Sequence, residues 1–189
     1  MLRFPVLVTV IVALYVSPAA AQSHQPYAGL QERALKALSE QQIADLRAGR
    51  GSGLALAAEL NGYPGPVHVL EHAAALKLTP EQRQRTQALY DAMKVEAVPL
   101  GDRLIAQEAA LDRAFSRKTV TPQSLAQAAA AIGQTQGELR AAHLRYHLAQ
   151  IALLTPDQVR RYGELRGYGE HGSHKSGNSA PHDHGHRGR

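Results

Sequence analysis

Apolar residues recur at helical spacing through the centre of the chain. In residues 80–117 they stand four or seven positions apart, at Leu89, Met93, Leu100, Leu104, Leu111 and Phe115. A second stretch follows with Leu125, Ala129, Ile132, Gln136, Leu139, His143, Tyr146, Gln150 and Leu153. Two consecutive amphipathic stretches of this length predict helices that pack as an antiparallel hairpin. Pro99 and Gly101 lie midway along the first helix and predict a kink there.

Three Thr-Pro pairs indicate where helices begin. Thr79, Thr121 and Thr155 each place a capping hydroxyl before a proline, which is favoured at the first helical position. Gln82 and Gln158 stand three residues after their threonines, where a side-chain amide can bond the N–H of the capping residue. Helices are therefore predicted to start near residues 80, 122 and 156.

Shorter elements are predicted on either side of the hairpin. Residues 22–65 predict an N-terminal helical extension, in which Ser39 and Gln42 form a possible capping box. Another helix is predicted over residues 67–75, and the helical domain as a whole over residues 66–166. Residues 167–189 contain mainly Gly, His, Ser and Asn, a composition that predicts a disordered tail.

The first 21 residues have the pattern of a secretory signal peptide. Arg3 precedes an apolar run, and Ala19 and Ala21 provide the small residues that signal peptidase accepts. Cleavage before Gln22 would deliver the protein to the periplasm without a membrane span, since the apolar run is too short to cross a bilayer comfortably. An uncleaved anchor is the alternative interpretation.

Composition favours an all-α fold and limits the available chemistry. Aromatic residues make up 5% of the 189 residues and tryptophan is absent, which leaves little material for a wide core. Cysteine is absent too, so any metal must be held by His, Asp, Glu or Met. The formal net charge is +5, but basic and acidic residues are interleaved, so no nucleic-acid partner is indicated.

Histidine has the placement that most suggests chemistry. His68 and His72 are four positions apart on one predicted helix, and His143 and His147 are four apart on another. Such pairs can present two imidazoles to one ion, and nitrogen ligands suit Zn, Ni, Co or Cu. Because helices present these pairs with little ordering, the pairs are expected to bind a metal without the tail. The alternative is that these are ordinary helix residues.

The tail contains five of the ten histidines, at His171, His174, His182, His184 and His186. The last three alternate with Asp183 and Gly185, which is typical of a flexible metal-capturing tract. A solubilising tail is the alternative.

An enzymatic function is not indicated. His68, Glu71 and His72 match the inverted zinc-protease pattern, but the predicted helix is short and follows a Pro-Gly-Pro turn. No Ser-His-Asp arrangement or phosphate-binding glycine loop is found in the sequence. We therefore expect a protein that is not an enzyme.

The two helix starts carry a family resemblance. Leu78-Thr79-Pro80-Glu81-Gln82 and Leu154-Thr155-Pro156-Asp157-Gln158 resemble the Spy/CpxP family of periplasmic chaperones, with its zinc-resistance-associated proteins and nickel/cobalt sensors. The residues that carry the motif are Leu78, Thr79, Gln82, Leu154, Thr155 and Gln158. The resemblance covers about residues 66–166.

This resemblance implies a four-helix hairpin-like protomer, a homodimer and ATP-independent binding of unfolded polypeptide or an envelope signalling protein. Its sensor branch implies a metal site, which His68, His72, His143 and His147 match, with Asp91 as its carboxylate. The chain differs from the family in its longer N-terminus, residues 22–65, and in having His147 where the sensors use a thioether.

Together these patterns predict an all-α protein with a long kinked helical hairpin, short flanking helices and a disordered His-rich tail. We expect a periplasmic metal-binding stress protein that functions in heavy-metal resistance or sensing and binds unfolded or signalling proteins. The alternative is a holdase chaperone that needs neither metal nor ATP.

Overall fold

The computed structural model describes residues 27–168, and all regular structure within that range is helical. A 3₁₀ turn at Leu30–Glu32 comes first. Six helices follow, α1 (Glu40–Arg47), α2 (Leu56–Glu59), α3 (Pro66–Glu71), α4 (Pro80–Ser116), α5 (Pro122–Ile151) and α6 (Pro156–Leu165). The predicted all-α fold with a long helix pair is thus confirmed. The predicted signal peptide, and the tail from residue 169 onward, lie outside the described residues.

The helix starts are those that the Thr-Pro pairs predict. The boxes at Thr79–Gln82, Thr155–Gln158 and Ser39–Gln42 are all formed, with both side-chain-to-backbone hydrogen bonds present in each. Thr121 also caps its helix, with Ser124 in the position that glutamine takes elsewhere. Helix α4 remains helical for 37 residues and contains Pro99.

Helices α4 and α5 pack against each other over a narrow apolar core. Its buried residues are Ala97, Leu104, Ile132 and Leu139. The predicted face of α5 is correct at Ile132 and Leu139, but Gln136 is exposed and Thr135 is buried in its place. Positions three and four residues after Ile132 lie on the same side of the helix, so spacing alone does not decide which of them is buried.

The ends of the predicted apolar stripes are exposed. Phe115, Leu125 and Ala129 lie close to the tip of the hairpin, where no other described helix covers them. The expectation that they belong to the seam is therefore wrong within one chain.

The N-terminal segment, residues 27–65, packs along the hairpin. Leu46 and Leu54 lie against its apolar core. At Gly101 a Cβ would stand 2.6 Å from the carbonyl oxygen of Leu46, so only glycine lets α1 approach α4 this closely. Gly49, at φ 65°, has the left-handed conformation that commonly follows the end of a helix.

A second core cluster holds the base of the hairpin together. It contains Val69, Leu76 and Tyr162, with Leu78 and Leu154 packed against them. The helix predicted over residues 67–75 is shorter than expected, since α3 ends at Glu71 and turns follow it. None of the helices in residues 27–168 is both long enough and apolar enough to span a bilayer.

Candidate functional site

The two Leu-Thr-x-x-Gln motifs meet at the base of the hairpin. Gln82 and Gln158 each accept a hydrogen bond from the N–H of their own capping threonine. Their amides also bond each other, with Gln82 Nε2 to Gln158 Oε1 at 2.9 Å and Gln158 Nε2 to Gln82 Oε1 at 3.0 Å. The two capping boxes are thereby joined into one network.

Backbone carbonyls complete this network. Gln82 Nε2 donates to the carbonyl of Leu153 at 2.8 Å, and Gln158 Nε2 donates to that of Leu76 at 3.2 Å. Each glutamine thus caps its own helix and fastens the element that precedes the partner helix. The motif residues therefore hold the starts of α4 and α6 together through hydrogen bonds. This is the physical reason for the two motifs to occur as a pair.

The first histidine pair is split by the end of α3. His68 lies in the helix, and its Nδ1 is 2.8 Å from Glu71 Oε2. His72 is the C-cap residue, and its ring packs edge-on against Tyr162 at a centroid distance of 6.4 Å. The two histidines therefore have separate neighbours.

His143 and His147 are buried beneath the N-terminal segment. His143 Nδ1 lies 2.9 Å from the carbonyl oxygen of Leu139, and its Nε2 lies 3.3 Å from that of Gly49. His147 Nδ1 donates to the carbonyl oxygen of Tyr63 at 2.6 Å. A ring nitrogen that donates its hydrogen has no lone pair left for a metal.

Asp91 lies elsewhere, on an open groove along the first turns of α4. It accepts a hydrogen bond from Gln87 at 2.9 Å. The groove has a volume of about 710 Å³ and is lined by Leu78, Pro80, Arg83, Gln84, Gln87, Ala88 and Asp91.

The described residues therefore do not assemble the five-residue metal site that the resemblance implies. No group of three or more His, Asp or Glu side chains within residues 27–168 is arranged to hold a metal ion. His182, His184 and His186 lie outside that range. Metal binding by either helix-borne pair, or by the tail, stays a prediction.

Glu59 is a buried carboxylate that belongs to none of the sequence motifs. This side chain is 6% exposed, and its Oε1 accepts hydrogen bonds from Tyr162 Oη and from Arg166 Nε, the latter at 3.3 Å. Tyr168 Oη is 3.4 Å from the same oxygen. Glu59 Oε2 has no hydrogen-bond partner within the described residues and lies 3.8 Å from His147 Nδ1.

Burial, followed by the hydrogen bond and the charge of Glu59, raises the pKa of the Tyr162 phenol well above its usual value. The phenol thus stays neutral and donates to the carboxylate. Arg166 supplies the positive charge that a buried carboxylate requires. This cluster joins α2 to α6 and to Tyr168, two residues past the predicted end of the ordered chain.

One signal for this cluster was present in the sequence. Glu59 is the only charged residue in the otherwise apolar run 54–60, at a position that a helix interior would fill with an aliphatic residue. A charged residue in an apolar run indicates that a buried donor or a positive charge compensates for it. The run itself does not identify the partner residues, which are more than a hundred positions away.

Comparison with protein families gives one match. Residues 52–161, more than half of the chain, match a family described as heavy-metal resistance. The matched range begins within the N-terminal segment and ends in α6. The curated proteins and the solved structures contain no match.

Proposed function

The chain belongs to the heavy-metal resistance family, as its helix-start motifs predict, and on that premise we propose that it is a periplasmic protein that binds transition-metal ions under heavy-metal stress. We further propose that the histidines of the C-terminal tail are its principal ligands. The observation that carries this assignment is that no group of three or more His, Asp or Glu side chains within residues 27–168 is arranged to hold a metal ion. The tail has the density of imidazoles that Zn, Ni, Co or Cu requires.

Calorimetric titration with Zn²⁺, Ni²⁺ and Cu²⁺ tests the proposal on the chain that starts at Gln22. A variant with His171, His174, His182, His184 and His186 all changed to Asn is expected to lose most of the binding. The matched control changes His68 and His72 to Asn and is expected to retain it. Absence of binding by the unaltered chain would contradict the proposal, and undiminished binding by the tail variant would show that the tail histidines are not the principal ligands.

The affinity is expected to fall as the pH drops through about 6.5, because imidazole must be neutral to bind a metal. Titration of Zn²⁺ at pH 7.5 and 5.5 measures this change. Affinity that is independent of pH would indicate carboxylate ligands.

A second candidate function is ATP-independent binding of unfolded polypeptide. The supporting observation is that large apolar side chains are exposed on the long helices, with Val95 at 75% and Leu148 at 61%. Suppression of aggregation of a reduced client protein in EDTA, without nucleotide, tests it. Val95→Ser together with Leu148→Ser should weaken suppression, whereas Ala126→Ser, which changes an already exposed small residue, should not.

We also propose that the protein is a homodimer and not an enzyme. The hairpin core of one chain is narrow, and a second copy would cover part of the exposed apolar surface. Sedimentation at micromolar concentration tests the dimer, and a monomer would contradict it. Leu104→Asp is unsuitable for this test because Leu104 is already buried within one chain, so its substitution should unfold the hairpin.

A further inference from the structure

The second half of the N-terminal segment, residues 49–65, lies directly on the two histidines of α5. His143 Nε2 meets the carbonyl of Gly49, and His147 Nδ1 bonds the carbonyl of Tyr63. Both residues are nearly inaccessible to solvent, at 3% and 7% exposed. The contacts bridge 94 and 84 positions of sequence, so they fasten two otherwise separate parts of the chain.

Two glycines let the backbone reach the rings. A Cβ at Gly51 would stand 2.9 Å from His143 Cδ2, and a Cβ at Gly65 would stand 2.8 Å from His147 Cε1 and 2.9 Å from its Nε2. Gly65 has φ −87°, which any residue adopts, and Gly51 has no positive φ either. Space, and not backbone conformation, is therefore what these glycines provide.

The geometry points to a docking role for His143 and His147: we propose that they anchor residues 49–65 to the hairpin and are not metal ligands. Imidazole suits this role because it is flat enough to pack against a glycine backbone and carries an N–H that reaches a carbonyl. The family resemblance places metal ligands at these positions, whereas in this chain each ring packs against a glycine backbone and bonds a backbone carbonyl. The inference concerns the histidines of α5, whereas the proposed metal-binding function rests on the histidines of the C-terminal tail.

Hydrogen exchange measured by mass spectrometry on the full chain from Gln22 tests the anchors. In His143→Ala and in His147→Ala, exchange in residues 49–65 should be about tenfold faster, because each variant removes the hydrogen bond of a buried side chain to this segment. Exchange near the middle of α4 should change little. His68→Ala is the matched control, since His68 bonds only a neighbour on its own helix, and should leave residues 49–65 unchanged.

Gly51→Ala and Gly65→Ala test the same contacts with every histidine intact. These two variants are used if a histidine variant fails to fold. Each added Cβ should also speed exchange in residues 49–65. Unchanged exchange in the folded histidine and glycine variants would overturn the inference.

Zinc ion separates this inference from the proposed function. Saturating Zn²⁺ should leave exchange in residues 49–65 unchanged in the unaltered chain, whether or not the tail binds it. If Zn²⁺ speeds exchange there, and no longer does so in His143→Ala with His147→Ala, the two histidines are metal ligands and the inference is wrong.

Discussion

The residue with the largest demand on its surroundings is Glu59. A buried carboxylate is tolerated only when donors and a positive charge compensate for its lost hydration, and here Tyr162 and Arg166 supply them. The unpaired Oε2 shows that this compensation is incomplete. The stability of the base of the molecule should therefore respond strongly to changes at its donors.

Tyr162→Phe should lower the free energy of unfolding at pH 7 by about 1–3 kcal/mol, because it removes the donor and leaves the buried carboxylate with fewer partners. Urea denaturation measures the loss. Tyr168→Phe is the matched control, since its hydroxyl lies at 3.4 Å on a more exposed side chain, and it should cost less than about 0.5 kcal/mol.

The same phenol should also make stability depend on alkaline pH. The pKa of Tyr162 is higher in the folded protein than in the unfolded chain, so the folded state holds a proton that the unfolded state releases above about pH 10. The contribution of Tyr162 is complete below that pH and declines as the pH rises further. The difference between the unaltered chain and Tyr162→Phe should therefore shrink between pH 9 and pH 11, and a constant difference would contradict this account.

At the scale of elements, the clearest feature of the fold is the pair of capping boxes at the starts of α4 and α6. Gln82 and Gln158 each serve two helices, whereas Gln42 forms a box of the same type that is exposed and, within residues 27–168, joined to no other. The three glutamines thus provide an internal comparison between a cap alone and a cap that also fastens a neighbour.

Gln82→Ala and Gln158→Ala should each cost about 1–3 kcal/mol of stability, because partly buried hydrogen bonds are lost together with the cap. Gln42→Ala should cost at most about 1 kcal/mol. In the double variant the two losses should not add, and the coupling between Gln82 and Gln158 should be about 0.5–3 kcal/mol. Additive losses would show that the two boxes act independently.

Local signals account for what the sequence predicted correctly. A Thr-Pro pair fixes a helix start without reference to the rest of the chain, so the starts of α4, α5 and α6 were predictable, and a glutamine three residues later strengthens the signal at α4 and α6. Gln136 and Phe115 are exposed although the sequence pattern assigned them to the seam between α4 and α5. The pattern indicates which face of a helix is apolar, but it does not indicate how much of that face the neighbouring helix covers.

The candidate site was harder to predict because it depends on distant contacts. The spacing of His143 and His147 is equally suited to a metal and to two carbonyls, and only the fold brings Gly49 and Tyr63 to the rings. Glu59 finds Tyr162 across 103 positions for the same reason. No local pattern contains that information.

On the scale of the whole molecule, the contacts fall into two classes by sequence separation. Helices α4 and α5 are joined by residues 117–121 and can pair locally, whereas Gln82 and Gln158 are 76 positions apart and Glu59 and Tyr162 are 103 apart. Distant contacts require larger loops to close, so the hairpin should form first and the N-terminal segment should dock last.

Stopped-flow measurements test that order. His147→Ala should raise the unfolding rate and leave the folding rate nearly unchanged, because its contact forms after the transition state. Ile132→Ala, in the hairpin core, is the matched comparison and should slow folding. A large fall in the folding rate of His147→Ala would place the docking of the segment early.

Late docking has a consequence for how the chain is made. Glu59 is synthesised 103 residues before Tyr162, an interval of roughly 5–20 s at ordinary rates of translation. In the first part of this interval, until α4 has been made, Leu46 and Leu54, which later cover the hairpin, have no helix to pack on. The newborn chain thus exposes apolar side chains together with a carboxylate that lacks its counter-charge, and it is in this period that the segment is most open to capture by other proteins.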